Sequence, residues 1–181
     1  MTEHHFTLII DGDVDSHIDE LFEAGCDDAT FGSIDNTQYA EFDREAESLA
    51  HAIITAINDV ESVKGLRVTR VEPNELVTIS EIAARLGRSR ESVRLLATGQ
   101  RGAGARAGQR QFPAPASHLR TRNKLWRWTD VAAWDGRLSP ADVAASRVLI
   151  AANAALELRN QSSELPGDTA RELADLAGAR Q

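Results

Sequence analysis

The stretch RLGRSRESVRLL, residues 85–96, holds four arginines and two serines in twelve positions. Arginine carries five N–H donors in a rigid planar fork that matches a phosphate or the O6/N7 edge of a guanine, and serine adds a short donor and acceptor. Such a set is suited to holding a polyanion rather than to breaking bonds. More cations follow: Arg101, Arg106 and Arg110 in GQRGAGARAGQRQ (99–111), then His118, Arg120, Arg122 and Lys124 in SHLRTRNKLWRW (117–128).

Other chemistries are weaker. Asp11, Asp13 and Asp15 alternate as in a calcium loop, but Ser16 stands where that loop needs glycine and Phe22 where its bidentate glutamate belongs. They are expected to be solvated turn carboxylates. His4 and His5 read as an exposed tail, and His17 and His51 as isolated helix residues. Cys26 is flanked by Asp27 and Asp28, which raise a thiol pKa rather than create a thiolate. No nucleophile, base and orienting group come together, so the expectation is no enzyme, no metal and no cofactor.

The chain has 181 residues, a formal net charge of -8 and one cysteine. One cysteine excludes an intrachain disulfide and a Cys-based zinc site, which fits a reducing cytoplasm. No signal peptide or membrane span is expected, since no apolar run approaches 18 residues. The charge is sharply divided: residues 1–77 carry 4 Lys+Arg against 18 Asp+Glu, residues 78–128 carry 11 against 2, and residues 129–181 carry 5 against 8. The middle block can therefore present a local positive field that the acidic first block cannot.

These side chains need elements to position them. FTLII from Phe6 reads as a strand and DGDVD as a turn. Val14, Ile18, Leu21 and Phe22 share one helical stripe that Gly25 stops. ATFGSI and QYAEF flank a hairpin turn at Asp35-Asn36-Thr37. Residues 46–60 form a second helix through Leu49, Ile53, Ile57 and Val60, and GLRVTRVE is a final strand. The order β-α-β-β-α-β predicts an α+β, ferredoxin-like domain over residues 1–76.

In the basic block, Ile79, Ile82, Ala83 and Leu86 predict a helix with Ser80 near its N-cap and Gly87 at its stop. Ser89 caps a second helix, 89–98, whose apolar face is Val93, Leu96 and Ala97. Two short helices joined by a glycine turn predict a helix-turn-helix, with the second helix in the major groove. FPAP (112–115) is extended, a hairpin turning near Asn123 makes a wing, and Thr129-Asp130 caps a short helix ending at Trp134. Trp126, Trp128 and Trp134 are expected to be core beneath the wing.

The run ISEIAARLGRSRESVRLL, then FPAP, then WRWTDVAAW, resembles the MerR-like winged helix-turn-helix of excisionases and prophage-type regulators. The resemblance covers about residues 77–136. It implies that Ser89, Arg90, Ser92 and Arg94, beside Arg88, read DNA, and that Arg120, Arg122 and Lys124 form a wing on the backbone or minor groove. The Gly/Ala/Arg insertion carrying Arg101, Arg106 and Arg110 is longer than the family pattern.

Residues 137–181 form a C-terminal extension: a long helix starting at Ser139-Pro140-Ala141-Asp142, with Val143, Ile150, Ala154 and Leu158 on one stripe. It packs on its own winged domain or pairs with a second subunit. Residues 168–180 form a short frayed helix or none. The functional expectation is a sequence-specific binder of double-stranded DNA, a homodimeric bacterial transcriptional regulator of the cytoplasm and nucleoid. The alternative is an antitoxin-like or recombination accessory protein whose acidic domain or C-terminal helix binds a protein partner.

Overall fold

The computed structural model describes residues 1–73, 76–100, 111–121 and 123–178. The chain forms two compact units, one of Met1–Pro73 with Arg147–Gln181, the other of Asn74–Ser146. The protein is mixed α+β, with a four-stranded antiparallel sheet and seven α-helices among the described residues.

In the first unit, β1 (Thr2–Asp11), β2 (Ala29–Ile34), β3 (Thr37–Ala46) and β4 (Arg67–Glu72) lie in the order β2-β3-β1-β4. Strand alternation puts Phe6, Leu8 and Ile10 of β1 in the core with Ala40, Phe42 and Ala46 of β3. Phe6 and Phe42 are cross-strand partners whose rings stack at 5.4 Å. β1 starts earlier than its apolar run, because ten-residue β3 supplies a partner for each residue from Thr2. His4 and His5 are therefore strand residues rather than a tail, and His5 bonds Asp43 across the ladder.

Asp35 and Asn36 both have positive φ, 50° and 64°, and link β2 to β3 in a two-residue turn. The first expected helix begins as a single 3₁₀ turn, Asp15–His17, before α1 (Ile18–Glu23). That tighter winding breaks the expected stripe: Val14 and Leu21 are buried, whereas Phe22 is 51% exposed. α2 (Leu49–Ser62) is capped by Ser48 and buries Ala52, Ile53, Ala56 and Val60.

One cation lies in this core. Arg44 of β3 donates to Asp28 at 2.7 Å, Asp59 at 2.7 Å and the Gly25 carbonyl at 2.7 Å. Burial lowers the guanidinium pKa, but the hydrogen bonds to Asp28 and Asp59 outweigh it and hold the group charged.

In the second unit, β5 (Leu76–Val77) pairs with β6 (Trp126–Arg127), with α3 (Ile79–Leu86), α4 (Arg90–Ala97) and α5 (Trp128–Trp134) around them. Val77, Ile82, Ala83, Leu86, Val93, Phe112, Trp126 and Val131 are its core. Phe112 meets Trp126 and Trp134 edge-on, and Trp126 Nε1 donates to the Pro113 carbonyl at 3.1 Å. The tryptophans are packing residues, as expected from sequence.

The C-terminal helix α6 (Pro140–Gln161) starts with Ser139 and Asp142 capping one another. From Arg147 onward it belongs to the first unit, where Val148, Leu149, Ala152 and Leu156 join the core. From residue 147 its packing surface is thus the first unit, a site not expected for it, and Ala154 of the expected stripe is exposed. The reason lies at β4, an edge strand with open backbone groups. Asn153, Arg159 and Asn160 of α6 bond the backbone of Val71, Val68 and Thr69. α7 (Gly167–Gly178) follows.

Candidate nucleic-acid interface

The N-cap of α3 falls two residues before the Ser80 cap expected from sequence. Thr78 is the N-cap, accepting from Glu81 N at 3.3 Å while Glu81 Oε2 accepts from Thr78 N at 2.7 Å. The Glu81 carboxyl is held below its ordinary pKa by these Thr78 bonds. Gly87 ends the helix at φ 65°, where a side chain would strain the backbone, and Arg88 N donates back to Ala83 O at 2.9 Å. Ser89 then caps α4 by accepting from Ser92 N at 3.1 Å. Two helices meet across a three-residue turn, with Ile82, Ala83, Leu86 and Val93 locking them from within.

With Val93 inward, a rotation of 100° per residue puts Glu91 at about 160°, Leu95 at about 200° and Thr98 at about 140°, with Arg94 at about 100° and Arg90 at about 60°. The outward face of α4 is thus centred on Glu91 and Leu95, with Arg94 beside them. Arg90 and Arg94 are exposed. Arg94 is held by Glu91, Nε to Oε2 at 2.8 Å and Nη2 to Oε1 at 2.7 Å. That bond depresses the Glu91 carboxyl pKa and raises that of Arg94. Exposed to solvent, a pair at this spacing adds little to helix stability.

Arg88 is engaged elsewhere. It donates to Asp135 Oδ1 at 3.0 Å and lies 5.6 Å from the Trp134 ring centroid. Arg137 donates to Asp135 Oδ2 at 2.9 Å and to the Leu86 carbonyl at 3.5 Å. Asp135, 15% exposed, thereby ties the α3–α4 turn to the end of α5. Sequence periodicity carried no signal for this node, because Asp135 and Arg137 lie after α5 in an irregular turn. α5 itself begins at Trp128 with no side-chain cap, one residue before the expected Thr129-Asp130 cap.

Arg120 is exposed and Lys124 half-buried, in a loop closed by Ala116 N to Leu125 O at 2.8 Å and by a single bridge from Ser117 to Leu125. A turn falls at His118–Thr121, where His118 has φ 56°; Arg122, beside the turn expected near Asn123, lies outside the described residues. No longer ladder forms among the described residues, because Trp126 and Arg127 pair with β5 instead. Arg101, Arg106, Arg110 and Arg122 lie outside the described residues.

At the acidic turn of the first unit, Asp13 accepts from Ser16 Oγ at 2.5 Å, which lowers its pKa. Among the described residues no group of three or more His, Cys, Asp or Glu is placed to hold a metal ion, and no helix is long and apolar enough to cross a membrane. Cys26 is buried and its thiol is pushed up to about 11, by burial first and then by Asp59. No family model, no curated protein and no solved structure matches the chain.

Proposed function

We propose that the second unit is a DNA-binding domain of the winged helix-turn-helix type and that the protein is a sequence-specific transcriptional regulator of a bacterial cytoplasm. The observation that carries this reading is the α3–Gly87–α4 arrangement, capped at Thr78 and Ser89, which leaves Arg90, Arg94 and the N-terminal end of α4 exposed. In this account α4 enters the major groove, where arginine reads a guanine edge, and Ser89 and Ser92 approach phosphate. Arg88 acts through Asp135, by fixing the turn. Arg120 and Lys124 supply wing contacts to the backbone. The strand order β2-β3-β1-β4 supports reading the first unit as ferredoxin-like, a domain for dimerisation or for a partner. A twofold homodimer would set two half-sites about 34 Å apart. The test is binding of the full chain to duplex DNA across a salt series: affinity that falls linearly with log salt is expected, and no binding at low salt refutes the reading.

A second reading is favoured by α7, which holds Leu173 at 40% and Leu176 at 73% exposure. There the helix is a protein-binding segment, as in an antitoxin or a recombination accessory factor. Stoichiometric capture of a co-expressed protein that survives Arg90→Ala/Arg94→Ala and is lost on Leu173→Ser/Leu176→Ser supports it.

A further inference from the structure

The exposed face of α4 carries a carboxylate in its first turn, on the line opposite the buried Val93. If that face only had to attract phosphates, a cation would serve better there, since each added positive charge strengthens binding to any DNA. Glu91 instead lies about 160° from the buried Val93 and accepts two hydrogen bonds from Arg94, at 2.8 and 2.7 Å. Both come from one side of the guanidinium, Nε and Nη2. The end formed by Nη1 and the second N–H of Nη2 is the part of the fork that suits the O6/N7 pair of guanine.

We propose that Glu91 is the residue that sets base preference on this helix: it holds Arg94 in one orientation, end-on to a guanine, and offsets the Arg94 charge against duplexes that lack that guanine. The inference rests on the DNA-binding reading above. Glu91 acts in two ways. It removes the freedom of a long side chain before docking, so less is lost when the base contact forms. It also repels phosphate, so DNA that cannot supply the guanine acceptors gains little from the pair.

The experiment is selection from a pool of random duplexes by the full-length protein, with wild type, Arg94→Ala, Glu91→Ala and Glu91→Gln. Wild type is expected to enrich a site with a guanine position that Arg94→Ala loses. Glu91→Ala and Glu91→Gln are expected to relax that same position about tenfold, leaving the others, while binding unselected DNA more tightly. For both, the log affinity against log salt slope steepens by about one. Glu91→Gln keeps the side chain's length and helix propensity, so a fall common to both variants reflects the lost charge and not a damaged helix. If both Glu91 variants keep the guanine preference that Arg94→Ala loses, the inference is overturned. If Arg94→Ala keeps it too, the inference falls and the DNA-binding reading stands. If wild type enriches nothing, both fall.

Discussion

Asn153 of α6 bonds Val71 of β4 twice: its Oδ1 accepts the Val71 N–H at 2.9 Å and its Nδ2 donates to the Val71 carbonyl at 2.8 Å. A side-chain amide thus occupies the place that a fifth strand would take. Glu61 completes the arrangement by accepting Val68 N at 2.8 Å while it holds Arg159, which donates to Val68 O at 2.9 Å.

Asn153→Ala leaves both backbone groups of Val71 short of a partner and is expected to cost about 1–3 kcal/mol, seen as a lower midpoint in denaturant unfolding. Asn153→Asp keeps the acceptor and loses the donor. It should fall between the two, and equal stability of all three proteins contradicts the edge-capping account.

Asp135 joins Arg88 and Arg137 at 3.0 and 2.9 Å. Asp135→Ala removes the acceptor they share and is expected to cost about 1–2 kcal/mol of stability. It should also weaken DNA binding although Asp135 carries no charge that attracts DNA. Unchanged melting in a thermal scan would show that the node braces nothing.

How legible was this molecule from its residues? Most strands and helices of residues 1–73 follow from periodicity, apart from the start of β1 and the 3₁₀ turn before α1, and Asp35-Asn36 marks the hairpin by residue type alone. Gly87 and Ser89 likewise announce the turn and cap of α3–α4 because their roles are local. The Thr78–Glu81 capping box is written in the sequence as T-x-x-E, with Ser80, another cap-type residue, lying between its two ends. Long-range partners left no local trace. Asn153 lies 82 residues from Val71, and Asp135 lies 47 from Arg88. The destination of α6 followed from the open edge of β4, which only the strand order reveals. Arg88 and Arg94 were legible as cations, but not as cations already held by carboxylates.

Cys26 tests the interior of the first unit through pH. With its thiol at about 11 in the fold, against about 8.5 in an unfolded chain, the folded state favours the neutral form. A raised pKa means that stability is complete below the unfolded value and declines as pH rises toward the folded one. Alkylation by iodoacetamide at pH 8 is therefore expected to be slow in native protein and rapid in denaturant. Rapid native labelling would contradict the burial.

The most direct measurement compares wild type with Arg90→Ala/Arg94→Ala on duplex DNA containing a selected site and on random duplex, at several salt concentrations. The DNA-reading account predicts that wild type prefers the site and that the double variant loses discrimination by about 1–3 kcal/mol per lost guanine contact, with a shallower salt slope. A double variant that matches wild type in preference and salt slope would contradict it.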